Sequence, residues 1–161
     1  VISDLGGALN DLGNMVQPSS IVPSAGPAHL KKLPEIVAWT QHIQALAFDL
    51  ATQDSFPFFL GGDHSIAAGT LSGIAQAAAH ADQPQFVLWL DAHPDLNTLS
   101  SSLSGNLHGT PMAYALGLHG FADIFPPLMA PIDPANICMM GLRSVDDAEH
   151  NVINKMDILL N

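Results

Sequence analysis

Three short runs of this sequence are apolar throughout, and each stops at a glycine or a polar turn. They are Phe56–Leu60, closed by Gly61-Gly62, Phe86–Leu90, followed by Asp91, and Ile137–Met140, closed by Gly141. Runs this short favour buried strands over helices, and Phe86–Leu90, apolar on both faces, has the pattern of a central parallel strand. Helical patterns lie around and between them. Ile36, Val37, Thr40, Ile43, Ala47 and Leu50 recur every three to four residues, which predicts an amphipathic helix from Glu35 of about four to five turns. Pro34 falls in its first turn, where a missing N–H does no harm. Ser65–Ala79 is alanine-rich and predicts a second helix. Thr110-Pro111 reads as N-cap and first residue of a helix running to Leu118. Asp146 or Asp147 is placed to cap a helix to Lys155, with another strand beginning in Met156–Leu160. Residues 1–5 read as a short strand. Residues 10–27 and Phe121–Pro134 read as irregular, from their Gly, Pro, Asn and Ser content. Strands alternating with helices predict an α/β fold, a three-layer αβα sandwich around a mainly parallel sheet. In such sheets ligands bind beyond the carboxyl ends of the strands.

Composition narrows the function classes. The 161 residues are 48% hydrophobic and 12% charged, with 15 acids, four bases and a formal net charge of −11. That apolar content excludes intrinsic disorder. Only Lys31, Lys32, Arg143 and Lys155 could meet phosphates, which argues against nucleic acid and a basic membrane-surface helix. No apolar run approaches the roughly 20 residues of a membrane span. The opening Val1–Gly7 has neither a basic start nor a long apolar stretch, which predicts no signal peptide. The single cysteine, Cys138, excludes an internal disulfide and a Cys-rich zinc site. The expected compartment is the cytoplasm.

Polar clusters fall at the predicted strand ends. Asp91, His93 and Asp95 stand at i, i+2 and i+4, so an extended backbone would send all three side chains one way. Pro94 cannot join a ladder, so the strand is expected to fray there. Two carboxylates and an imidazole suit Mn²⁺, Fe²⁺, Co²⁺ or Zn²⁺, the oxygen-rich set leaning to Mn²⁺. The same residues also suit a plainer role, with the acids capping turns and His93 a satisfied polar side chain. Gly61-Gly62-Asp63-His64-Ser65 is a tight turn that puts His64 at a second strand end, with Asp63 or Ser65 available to cap the helix. Ser104-Gly105-Asn106-Leu107-His108-Gly109 is a polar loop whose histidine could move protons near neutral pH. The other histidines (29, 42, 80, 119 and 150) have no ligand spacing. Trp39 reads as helix core or flank, Trp89 as filler of the buried strand, and Cys138 as a small buried apolar residue. The glycine turn lacks the Lys-Ser/Thr of a phosphate loop.

Gly-Gly-Asp-His-Ser at 61–65, Asp-Ala-His-Pro-Asp-Leu-Asn at 91–97 and Ser-Gly-Asn-Leu-His-Gly at 104–109 resemble the ureohydrolase superfamily, and the arginases most closely. Gly141–Asp146 with Glu149-His150 resembles the arginase segment after the next strand. The resemblance implies two Mn²⁺ ions at the carboxyl ends of the strands. It gives His64 to one ion and His93 to the other, with Asp91 bridging and Asp95 binding or bridging. It gives His108 a part in proton transfer, with Asp95 in the catalytic centre. Asn97, Ser104 and Asn106 would hold the α-carboxylate of arginine, and Asp146 and Glu149 surround its α-amino group. Two cations sharing a water make it a hydroxide able to attack a guanidinium, giving ornithine and urea. The resemblance also implies a homo-oligomer, a trimer or hexamer.

The family's later Asp-x-Asp motif and later guanidinium-binding Glu do not occur in residues 1–161, and the family's first strand is not recognisable. The expectation is therefore a single partial domain covering the middle of the fold, with a sheet edge left open. Ser144 stands where arginases often have Asp, and Pro94 fills the variable slot of the metal motif. Other ureohydrolases (agmatinase, guanidinobutyrase, formiminoglutamase) share the metal motif. The polar groups for a carboxylate and an amine favour arginine. A non-catalytic metal-binding remnant is the alternative of another class.

Overall fold

The computed structural model describes residues 8–18, 26–53 and 55–161. Pro34 starts the first helix as its missing N–H permits, and α1 spans Leu33–Ala51. The second helix, α2, spans Ile66–His80, and the two pack along each other. Two glycines of α2 set how closely they approach. A Cβ on Gly73 would lie 2.4 Å from the Gln44 carbonyl oxygen, and one on Gly69 2.6 Å from Ile43 Cβ. Backbone meets backbone there, so only glycine fits.

Strand β1 (Val87–Leu90) pairs in parallel with β2 (Ile137–Met140), with Val87 opposite Ile137 and Trp89 opposite Met139. Beyond β2 lies β3 (Leu159–Leu160), also parallel. Between β1 and β2 the chain forms α3 (Pro111–Ala115), and between β2 and β3 it forms α4 (Asp147–Met156). The core gathers on one face of the sheet, where Val87, Trp89, Ile137 and Met139 pack with Ala67, Ala75, Met112, Ala115 and Ile153. Each large apolar side chain fully buried there contributes roughly 1.5–3 kcal/mol. A second cluster joins Leu33, Ala68, Leu107, Tyr114, Phe121 and Phe125, so the irregular stretch after α3 is anchored by its aromatic rings.

The α/β class and the parallel sheet agree with the sequence, and four expectations are corrected. Phe56–Leu60 is not a strand: Phe56, Phe58 and Leu60 are 90%, 74% and 87% exposed. A run of apolar residues becomes a strand only when a neighbour completes its ladder, and no described segment does so. For the same reason β1 is an edge strand of the described sheet, in the order β1-β2-β3, rather than a central one. Its outer residues Leu88 and Leu90 stay exposed, so the described sandwich is covered on one face. The helix from Pro111 ends at Ala115, short of Leu118. Gly117, at φ +70, donates to Tyr114 O, and Leu118 N donates to Ala113 O. That pair of bonds with a left-handed glycine is a helix-stop motif. Cys138 is half-buried rather than buried, because it faces the open side. The predicted strand at 1–5 and part of the irregular 10–27 stretch lie outside the described residues.

Candidate metal centre

β1 ends one residue before Asp91, earlier than the fraying expected at Pro94. Asp91 Oδ1 accepts the His93 N–H at 3.0 Å, a side-chain turn that bends the chain out of the ladder. The convergence of the two acids therefore does not come from an extended i, i+2, i+4 pattern. It comes from a folded loop, 91–97, pinned on all sides. Asp91 N donates to Met140 O, and the Ala92 carbonyl accepts both Arg143 N and Ser144 N at 3.0 Å. Asp95 sits at φ +51, a left-handed conformation that Asp tolerates better than most residues. Its carbonyl accepts the Met112 and Ala113 N–H groups from the start of α3, both at 3.1 Å. Leu96 N donates to Glu149 Oε1 at 3.2 Å, and Asn97 N donates to Gly109 O.

His64 reaches this loop from the glycine turn before α2. Neither Asp63 nor Ser65 caps α2 with its side chain; Asp63 instead makes the local turn before it, its Oδ1 accepting both the Ser65 N–H and the Ser65 hydroxyl. The His64 Nδ1 lies 3.0 Å from Asp91 Oδ2 and 2.8 Å from Asp95 Oδ2. His64, Asp91 and Asp95 thus present ligand atoms within 4.8 Å of one another. His93 stands outside that trio, exposed, with Nδ1 3.5 Å from the other Asp91 oxygen, Oδ1. The two oxygens of Asp91 therefore face two different imidazoles.

The charges agree with the distances. The Asp95 carboxylate is the main cause that raises the His64 imidazole above its ordinary value, outweighing burial. Burial alone would raise the Asp91 carboxyl, but the His93 N–H and the His64 ring hold it below the usual range.

The loop 104–109 lies beside this cluster. His108 is exposed on a single 3₁₀ turn, Leu107–Gly109. Asn106 Oδ1 accepts Lys31 Nζ at 3.1 Å, and Lys31 N donates to Gly105 O. Ser104 Oγ accepts the Asn106 N–H. Asn97 Nδ2 donates to Asp146 Oδ2 at 2.8 Å, and Asn97 Oδ1 accepts the Ser101 hydroxyl at 2.7 Å. Glu149 is buried, with Oε2 accepting the Asp146 N–H in a capping box and Oε1 accepting Leu96 N. Both of its oxygens are taken by main-chain donors. Burial pushes the Glu149 carboxyl up.

A sequence model of the Arginase family matches residues 6–160. The chain belongs to the arginase family. It is 50% identical over 160 residues to an arginase of Brucella melitensis biotype 1, covering 99% of this chain and 52% of that one. It is 46% identical over 161 residues to an arginase of Agrobacterium fabrum, covering 98% and 48%. Among solved structures, the arginase of Bacillus subtilis superposes with a TM-score of 0.82 at 37% identity, covering 99% of this chain and 52% of that one. The chain thus spans about half the length of these arginases.

The donor set fits a divalent cation. Asp95 Oδ2 is buried and receives no well-directed hydrogen bond, although His64 Nδ1 is near. A buried carboxylate oxygen left in that state is costly without a positive partner, and a cation among three converging ligands supplies one. Sequence reasoning read Trp89 only as strand filler and gave Lys31 and Ser101 no part in the site. Trp89 alone had a signal, its place on the inward face of β1 two residues before Asp91. Lys31 and Ser101 reach the loops only through the tertiary fold.

Proposed function

We propose that the full-length polypeptide is a cytoplasmic, homo-oligomeric hydrolase that cleaves the guanidinium of L-arginine to L-ornithine and urea, using two Mn²⁺ ions. The observation that carries this reading is Asp91, whose two oxygens face His64 and His93 separately while Asp95 joins His64. His64, Asp91 and Asp95 would hold one ion, and His93 with the second oxygen of Asp91 would contribute to the other. Two such ions supply a water acidic enough to act as a nucleophile at neutral pH.

The chain's own residues do the rest. The 91–97 loop, fixed by β2, α3 and α4, holds the ligands in place without rearrangement. His108, exposed on its 3₁₀ turn, donates a proton to the leaving amine, a general-acid task that histidine side chains commonly perform. Asn97, Ser104 and Asn106 hold the α-carboxylate. Asp146 faces the α-amino group, and Glu149 acts through Asp146 by fixing its main chain. The net charge of −11 draws a cationic substrate at long range.

Urea release by the full-length polypeptide with Mn²⁺ tests this, comparing L-arginine with agmatine, which lacks the carboxylate. Faster turnover of arginine is expected. Faster turnover of agmatine, or binding of metal with no urea from either, overturns the reading.

A further inference from the structure

The centre described above has ligands on two separate segments, the glycine turn and the 91–97 loop, and something must fix the distance between them. Among the described residues, the main chain around His64 is hydrogen-bonded only within its own turn, where Ala67 N donates to the His64 carbonyl and Ile66 N to that of Asp63. Its described polar ties to the opposite loop are Asp91 and Asp95. Those are the contacts a cation would replace, because the same nitrogen and oxygen atoms would then face the ion.

The contact with Trp89 would survive that replacement. The Trp89 indole stacks on the His64 ring with centroids 4.7 Å apart and planes 28° apart. The same indole donates Nε1–H to the His93 carbonyl oxygen at 2.9 Å. Trp89 itself is held on the inner face of the sheet. It is 6% exposed, paired to Met139 across the sheet and packed into the main core cluster.

We propose that Trp89 is a positioning residue for the metal centre: its ring face orients His64 and its N–H fixes the main chain of His93. One buried side chain thereby gauges the separation of the two imidazoles. Residues behind metal ligands that set their orientation typically change metal affinity by about ten- to a hundredfold when removed.

The inference rests on the metal-centre reading, and the test separates the two. Mn²⁺ affinity of the full chain is measured from the electron paramagnetic resonance signal of free Mn²⁺, for the wild type, Trp89→Phe and Trp89→Leu. Trp89→Leu loses both face and N–H and is expected to bind Mn²⁺ on the order of ten- to a hundredfold more weakly. Trp89→Phe keeps a ring face and is expected to lose less. Urea unfolding of the same variants gives the folded fraction. If the folded fraction of both binds Mn²⁺ like the wild type, the residue only fills the core and the proposal fails. A second readout leaves Trp89 intact. In a Trp39→Phe background, Zn²⁺, which is diamagnetic, should shift the Trp89 emission on binding, and saturable binding without a shift overturns the proposal. Absence of any Mn²⁺ binding by the wild type overturns the metal centre itself, and the role of Trp89 with it.

Discussion

Glu149 on α4 holds the main chain of Leu96, accepting its N–H at 3.2 Å, so the helix after the second strand clamps the ligand loop after the first. The second Glu149 oxygen closes the capping box with Asp146. One buried carboxylate therefore joins the segment proposed to meet the substrate's amine to the segment proposed to meet the metal.

Replacing that carboxylate should be costly. Glu149→Ala leaves the buried Leu96 N–H without a partner and opens the capping box, each a loss of about 1 kcal/mol or more. Urea unfolding followed by circular dichroism should show the variant destabilised by roughly 2–4 kcal/mol. Glu149→Gln keeps one acceptor and should lose less. Equal stability of Glu149→Ala and wild type would mean the clamp is idle.

The same group predicts a pH dependence. Burial raises the Glu149 carboxyl above its ordinary 4.5, so between 4.5 and the folded value the native state binds more protons than the unfolded chain. Stability contributed by Glu149 is therefore greatest below 4.5 and declines as pH rises through the folded value. Asp146 runs the other way. Burial opposes it, but its bonds from Asn97 and the Glu149 N–H hold it below 3.8. Its contribution is present above 3.8 and is lost as pH falls through the lower folded value. The stability difference between wild type and Glu149→Gln, measured by urea titration from pH 4 to 8, should shift against the wild type as pH rises. A shift in the opposite direction contradicts the assignment.

Gly73→Ala probes the helix pair. The added methyl would sit 2.4 Å from the Gln44 carbonyl oxygen and 2.7 Å from Ala47 Cβ, and backbone cannot swing aside. Overpacking of this kind costs about 1–3 kcal/mol, outweighing the better helix propensity of alanine. The melting temperature should fall. An unchanged or higher melting temperature would show that α1 and α2 can separate freely.

His108→Ala separates proton transfer from metal binding. The ring is exposed and lies outside the ligand trio. Turnover of arginine by the full-length polypeptide should drop about a hundredfold or more, within the usual contribution of a general acid. Manganese content by elemental analysis should stay at the wild-type level. Metal loss in this variant would make His108 a ligand instead.

Local chemistry made much of this chain readable in advance. The helices at 33–51, 66–80 and 147–156, the strand at 137–140 and the parallel α/β class follow from residue spacing, proline placement and an Asp that caps its own helix. These depend on neighbours within a few residues, and a sequence records neighbours. The imidazole and carboxylate side chains at 64, 91, 93 and 95, proposed here to hold metal, were legible for the same reason, as local clusters. Tertiary structure decided the rest. Whether Phe56–Leu60 is a strand depends on a ladder partner from elsewhere, and the described chain offers none. Asp91 and Asp95 converge on His64 through a bend stabilised by α3, α4 and β2, not through strand alternation, and His93 stays outside that trio. The stacking of Trp89 on His64 and the grip of Glu149 on Leu96 join residues 25 and 53 positions apart. Such pairings are set by how packed layers meet in space, and no local pattern encodes them.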